Sequence, residues 1–360
     1  MTVKRPQIQI SISMNDFVFD SSSDFHSVAQ HVVDAEDLGV DMVWSAEAWG
    51  TDAVVPLAFV AALTSRIKIA AGILQISART PVMTAMTAMT LDHVSNGRFI
   101  LGLGVSGPQV VEGMHGQRYE RPLERLRETV DVIRIALAGN KVEYHGQQID
   151  LPLANSQGKA IRIGQPARPN LPIYLATLGP RALRYTGAVA DGWVGTCFVP
   201  EKSKYYFEHL SAGAQSTGRK IEDLEITAGG PIAFTDDIER PLLARKKALA
   251  FQLGAMGSAE TNFYNNAFSQ IGFAEPAHRV QELWIAGKRD EAMKAVPDEL
   301  AIGTSLMGND AEVTSRIRAY RDAGVTNLRL DPIGRTPTEK LDSLARVLEL
   351  VKLINRETPA

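Results

Sequence analysis

Short apolar runs and stretches of helical period take turns along nearly the whole chain, and that alternation restricts the fold more than anything else in the sequence. Strands are expected at 7–13, 40–46, 67–71, 99–103, 173–176, 191–196, 224–234 and 326–330. Several are apolar on both faces, as buried parallel strands are. Helix patterns fill the gaps. Val28, Val32, Ala35 and Leu38 share one face before Gly39, and Leu123, Leu126, Val130, Ile133 and Leu137 recur after Pro122. About eight such units joined by right-handed crossovers close into a barrel, with the active site at the carboxyl ends of the strands. An open doubly wound sheet is the competing layout, but the chain has neither the three-glycine dinucleotide fingerprint nor a Walker-type phosphate loop. The expected fold class is therefore α/β, a (β/α)8 TIM barrel forming a single domain over residues 1–360, with insertions near 140–171 and 237–300. The first insertion contains a hairpin about His145-Gly146. The second reads as helical and as a candidate lid or dimer surface.

The stretch from Arg98 to Gly116 is where a ligand is expected. Its strand breaks at Gly104 into Gly-Val-Ser-Gly-Pro. Gly102, Gly104 and Gly107 permit a positive φ or a close approach of backbone to a ligand, and Pro108 ends the ladder. An α/β protein places flat or phosphorylated ligands against such side-chain-poor loops. A tight strand-to-helix turn is the plainer reading, and the glycines alone leave both open. Met83, Met86 and Met89, spaced by three, are read as core packing.

Charge and cysteine usage remove other classes. A formal net charge of −3 offers no basic face for nucleic acid and no polybasic patch for a membrane. No run is long enough to span a bilayer. Cys197 is the sole cysteine, so no internal disulfide forms, and the polar start of the chain has no apolar signal core; a cytoplasmic protein is expected. The seven histidines show no paired ligand spacing, so no metal is expected. A nucleophile elbow is also missing.

Three segments carry a family resemblance: Ser45-Ala-Glu-Ala-Trp-Gly-Thr-Asp52, Gly72-Ile-Leu-Gln-Ile-Ser-Ala-Arg-Thr-Pro81 and the run from Gly97 through Gly113. They resemble the luciferase-like superfamily, and within it the oxidoreductases that use coenzyme F420, an 8-hydroxy-5-deazaflavin. Tyr174-Leu-Ala-Thr-Leu-Gly-Pro-Arg-Ala-Leu and Ala190-Asp-Gly-Trp193 fit the same family. The resemblance implies a bacterial luciferase-like barrel, usually a homodimer, with the cofactor ring at the carboxyl ends of the strands. It places Glu47 beside the ring. It implies a non-proline cis bond at Gly72-Ile73, in a bulge continued by Leu74 and Gln75. Gly104, Val105, Ser106 and Gly107, with Ala176, Thr177, Leu178 and Gly179, match the loops that wrap the cofactor's side chain and phosphate. Thr196 falls in the substrate region. One departure matters: alcohol and sugar-phosphate dehydrogenases of this branch carry a histidine beside the acidic residue, and here it is Ala48. The chain better resembles a reductase of a carbonyl, enone or imine.

A hydride acceptor of that kind also needs a proton donor. Glu47 and His115 are the candidate catalytic residues, with Asp52 a third choice near a strand end; hydrogen bonding to loop amides is the structural alternative for each. Trp49 is read as a wall of the substrate pocket or as core. Arg79 and Arg335 are read as exposed or as meeting the cofactor's anionic tail. FMN is the alternative cofactor, in a luciferase-like monooxygenase. A flavin- or F420-binding protein without turnover is the second alternative.

Overall fold

In the computed structural model, which describes residues 7–14, 22–257 and 262–357, each run expected to be a strand forms one. In chain order the strands are β1 (Gln9–Ser13), β2 (Met42–Ser45), β3 (Lys68–Ala71), β4 (Leu74–Gln75), β5 (Phe99–Gly104), β6 (Tyr144–His145), β7 (Asp150–Leu151), β8 (Ile173–Leu175), β9 (Gly192–Val194), β10 (Glu225–Phe234), β11 (Leu306–Gly308) and β12 (Asn327–Pro332). The hydrogen-bonded order is β11-β10-β12-β1-β2-β3-β5-β8-β9, with β9 paired back to β10 and β4 paired to β5. Eight parallel strands thus form the closed (β/α)8 TIM barrel. β4 and β11 are additions to it. The short β11 was not expected: Leu-Met-Gly is too brief to show a period, and its partner is the carboxyl end of the long β10.

The chain divides into two compact units, Trp44–Ala176 and Met1–Val43 with Thr177–Ala360. In the first unit, β3 pairs with β5 and β5 with β8, all parallel. Helices Val54–Leu63, Pro81–Val94 and Pro122–Leu137 follow β2, β4 and β5 in the chain. The first insertion holds the two-stranded β6–β7 hairpin. Its turn is pinned by Glu128, whose carboxylate accepts the backbone N–H groups of Gln147, Gln148 and Ile149.

Arg98, just before β5, fixes the segment that leads into β3. Its guanidinium donates to the carbonyls of Ser95, Ile67, Ala61 and Thr64 and to the Thr64 hydroxyl. Two of these carbonyls end helix Val54–Leu63, where orphan acceptors and the helix dipole both favour a cation. Arg98→Met should therefore lower unfolding stability by about 3 kcal/mol, because several carbonyls lose a charged donor at once. Urea denaturation measures this; a loss below about 0.5 kcal/mol would mean that water replaces the guanidinium at no cost.

In the second unit, β12 pairs with β1 on one side and β10 on the other, both parallel. Ile10, Ile12, Leu328 and Leu330 are buried. The alternate residues are polar, and the Ser11 hydroxyl donates to Asn327 Oδ1 while Asn327 Nδ2 donates to Glu225. Asn355 of the final helix, Pro337–Asn355, exchanges hydrogen bonds with both backbone groups of Ile8. The second insertion is helical: Glu239–Ala255, Phe263–Phe268, Ala274–Ile285, Arg289–Lys294 and Asp298–Gly303. Among the described residues no helix is long and apolar enough to cross a membrane.

The methionine series departs from expectation. Met89 is fully buried, but Met83 is 50% exposed and Met86 39%. A step of three residues falls short of a full turn by about 60°, so successive methionines rotate round the helix and only one faces the core.

Candidate active site

The first unit brings together most of the expected site residues at the carboxyl ends of its strands. Gly72-Ile73, directly after β3, is a cis peptide bond. Backbone crowding accounts for the glycines on either side. A Cβ on Gly72 would lie 2.6 Å from the Trp44 ring, and one on Gly102 only 1.9 Å from the Ala71 carbonyl oxygen. At Gly104 a Cβ would meet Ile73 Cγ1 at 2.9 Å, with Ala176 Cβ 3.7 Å away. The expectation that the loop glycines serve close approach holds at Gly102 and Gly104. None of Gly102, Gly104 and Gly107 takes a positive φ; the left-handed residue of the loop is Ser106, at φ 58°. Val105 is half-buried, and Gly107 starts helix Pro108–Gly113.

Leu74 and Gln75 form β4 against Leu103 and Gly104, so the bulge is hydrogen-bonded into the sheet. The loop after β2 is laced to it. The Glu47 N–H donates to the Ile73 carbonyl, and Glu47 Oε1 accepts from the Gln75 N–H at 3.0 Å and from Arg79. Gln75 Nε2 donates to the Ala48 carbonyl. Arg79 also donates to Asp52, which in turn accepts the Val55 N–H at the start of helix Val54–Leu63. Arg79 is thus not free: it joins two loop carboxylates, with its side chain 20% exposed. This lattice makes Glu47 an anchor of the bulge.

Polar atoms without partners mark the rest of the site. Among the described residues, Trp44 Nε1, Gln75 Oε1, Ser77 Oγ and His115 Nε2 are shut off from solvent and form no hydrogen bond. Buried groups of this kind are rare and call for a ligand or water. Ser77 also lines a small open recess with Val105, Tyr119 and Arg125, among others. The Tyr119 hydroxyl donates to the Ser106 carbonyl, and burial pushes its pKa up. Tyr119 and Arg125 were not picked out from the sequence: they lie past the glycine run, at the head of an amphipathic helix. Trp49 is 55% exposed, which removes the core-packing alternative for it.

Thr177, Leu178, Gly179 and Thr196 belong to the second unit. Gly179 is the N-cap of helix Pro180–Val189. The Thr177 hydroxyl is spent on Thr186, 2.7 Å away, and its carbonyl accepts from Trp193 Nε1. What Thr177 to Gly179 offer a ligand is therefore backbone. Thr196 is half-buried after β9, and Arg335 is exposed.

At the bulge, Ile73 packs tightly against Gly104, and the orphaned buried donors and acceptors nearby suit a ligand with a polar edge.

Comparison with known proteins identifies the family. A model of the luciferase-like monooxygenase family matches residues 10–327. A Mycobacterium tuberculosis protein provisionally named a coenzyme F420-dependent oxidoreductase is 40% identical over 306 residues, 83% of this chain and 88% of that one. The 5,10-methylenetetrahydromethanopterin reductase of Archaeoglobus fulgidus is 26% identical, over 86% of this chain and 91% of its own. The solved coenzyme F420-dependent tetrahydromethanopterin reductase of Methanopyrus kandleri superposes with a TM-score of 0.74 at 23% identity, covering 98% of this chain and 100% of that one.

Proposed function

The chain belongs to the luciferase-like monooxygenase family, and from that premise we propose that it is a coenzyme F420-dependent oxidoreductase acting as a reductase on a small carbonyl, enone or imine. The observation that carries the reading is the Gly72–Gln75 bulge, packed against Gly104 and held by the Glu47–Arg79–Asp52 lattice, with the buried Oε1 of Gln75 left without a partner. When bound, a deazaflavin supplies the hydride, and the protein's part is placement. Gly72, Ile73, Leu74 and Gln75 would back the ring. The backbone of Gly104 to Gly107 and of Ala176 to Gly179 would hold the cofactor's chain. Trp49 and Thr196 would face the acceptor. His115, with an unpartnered buried Nε2, is the better candidate for passing a proton, since Glu47 is engaged by Arg79. Ala48 leaves no base beside Glu47 for oxidising an alcohol, which supports the reductive direction. The lone, fully buried thiol of Cys197 suits a cytoplasmic enzyme.

Titrating the apoprotein with F420 and with FMN tests the reading. F420 should bind with a Kd of about 10 μM or below, and FMN at least about 30-fold more weakly. Reduced F420 should then be consumed with a member of an enone, aldehyde and imine panel. Tight FMN binding with oxygen uptake would replace this reading with the monooxygenase. F420 binding without turnover would leave a cofactor-binding protein.

We also propose a homodimer through helices Val54–Leu63 and Pro81–Val94. The first has no charged residue, and in the second Asp92 is buried against Arg168. Their outer surface exposes Val55, Leu63, Met83 and Met86. An uncharged face of this kind is typical of an interface. The double change Met83→Glu, Met86→Glu should weaken self-association at least about 100-fold by placing like charges across the two-fold axis. Light scattering across a dilution series measures it, and a variant that stays dimeric moves the interface elsewhere.

A further inference from the structure

The second unit carries cationic groups that no described carboxylate answers by direct contact. Along β12, Leu328 and Leu330 are fully buried, and the alternate residues Asn327, Arg329 and Asp331 share the opposite face. Asn327 is occupied by Ser11 and Glu225. Arg329, one step nearer the carboxyl end, is half-buried; its guanidinium forms no hydrogen bond to a described residue, and its Nε is cut off from solvent. The contrast with Arg321 is sharp. That arginine, also buried, is answered by Asp322 and Glu357.

Arg245 of helix Glu239–Ala255 reaches the same end of the sheet. Its Nε donates to the Thr304 hydroxyl at 3.0 Å, and the Thr304 carbonyl abuts β10 at Gly230, where a Cβ would come within 2.3 Å. Gly230 is in register with Leu330, and Pro231 with Asp331. Burial lowers the Arg245 pKa from the ordinary arginine value, Arg329 adds to that, and Asp331 opposes it. Tyr264 is close by as well: burial pushes its phenol up to about 12, and Arg329 draws it back. Two guanidinium groups facing one carboxylate leave an excess positive charge in a poorly hydrated place, an arrangement that costs stability until an anion joins it.

We propose that Arg329 and Arg245 bind an oxyanion, a carboxylate or phosphate, within the second unit. The planar guanidinium forks suit such a group, and the unused donors of Arg329 supply its hydrogen bonds. Asp331 moderates the site. The oxyanion site stands on the β12 geometry, independently of the oxidoreductase reading above.

Inorganic phosphate, titrated calorimetrically into F420-loaded protein at low ionic strength, tests the proposal. The wild type should bind it with a Kd of the order of 1 mM or better. Arg329→Met should weaken binding at least about tenfold, and Arg329→Lys should restore part of it. Asp331→Asn should tighten binding about threefold or more, a gain that a folding defect cannot mimic. Absence of phosphate binding by the wild type, or an affinity unmoved by Arg329→Met, overturns the proposal. An equal loss of F420 affinity in Arg329→Met also overturns it, by assigning the cation to the cofactor's own phosphate. Failure of wild-type F420 binding sinks the deazaflavin reading instead, and phosphate titration of the unloaded chain then decides the oxyanion site separately.

Discussion

Gly104→Ala should leave a folded protein that has lost most of its affinity for F420, whereas Gly102→Ala should fail to fold stably. The two positions are neighbours on one strand, and their surroundings decide the difference. A Cβ at Gly102 would stand 1.9 Å from the Ala71 carbonyl oxygen, and backbone on the adjacent strand cannot give way. The cost should exceed about 3 kcal/mol, at the upper end for an overpacked core. At Gly104 the obstacles are Ile73 Cγ1 and Cδ1, at 2.9 and 3.0 Å. That side chain can swing by a few tenths of an ångström, so the stability cost should be about 1 kcal/mol. Its displacement would shift the surface that backs the proposed ring. F420 affinity should fall at least about 30-fold, since a planar ligand cannot trade contact on one face for another. Urea denaturation and fluorescence titration separate the two effects. Unchanged F420 affinity in a folded Gly104→Ala protein would show that the ring does not lie against Ile73.

Barrel strands were legible because they depend on local pattern, whereas the bulge at Gly72-Ile73 was legible only through the family resemblance. Alternation of short apolar runs with helices fixes parallel pairing, and Gly102 and Gly104 signal tight backbone approach in such a run. What stayed hidden depends on distance in sequence. Arg79 reads as one more surface arginine until the fold sets it between Glu47 and Asp52. Arg245 and Arg329 are 84 positions apart (329 − 245), and only the register of β10 with β12 brings their surroundings together. Met83 and Met86 misled for a different reason. Apolar residues at helical spacing look alike whether they face a core or a partner, and only their exposure in the folded chain distinguishes them.

Arg79→Met should weaken F420 binding at least about tenfold and lower stability by about 2 kcal/mol, while the double change Arg79→Met, Glu47→Gln should recover much of both. The Glu47 carboxylate is 8% exposed and accepts from Arg79 and from the Gln75 N–H. Removing the guanidinium leaves a nearly buried charge with the backbone bond as its remaining described partner, and the loop should shift to bring water to it. A glutamine at position 47 has no such charge and keeps an amide oxygen for the Gln75 N–H, so it tolerates the loss of Arg79. Glu47→Gln alone should cost less than Arg79→Met, because the donors left behind remain reachable by solvent. The coupling read from this double-mutant cycle should be about 1.5 kcal/mol or more. A proton-donating Glu47 predicts a different pattern. Glu47→Gln would then abolish turnover with F420 affinity intact, and adding Arg79→Met would rescue nothing. Measuring F420 affinity and turnover across the four proteins therefore distinguishes an acid from an anchor, and recovery of cofactor affinity in the double variant is the result that identifies the anchor.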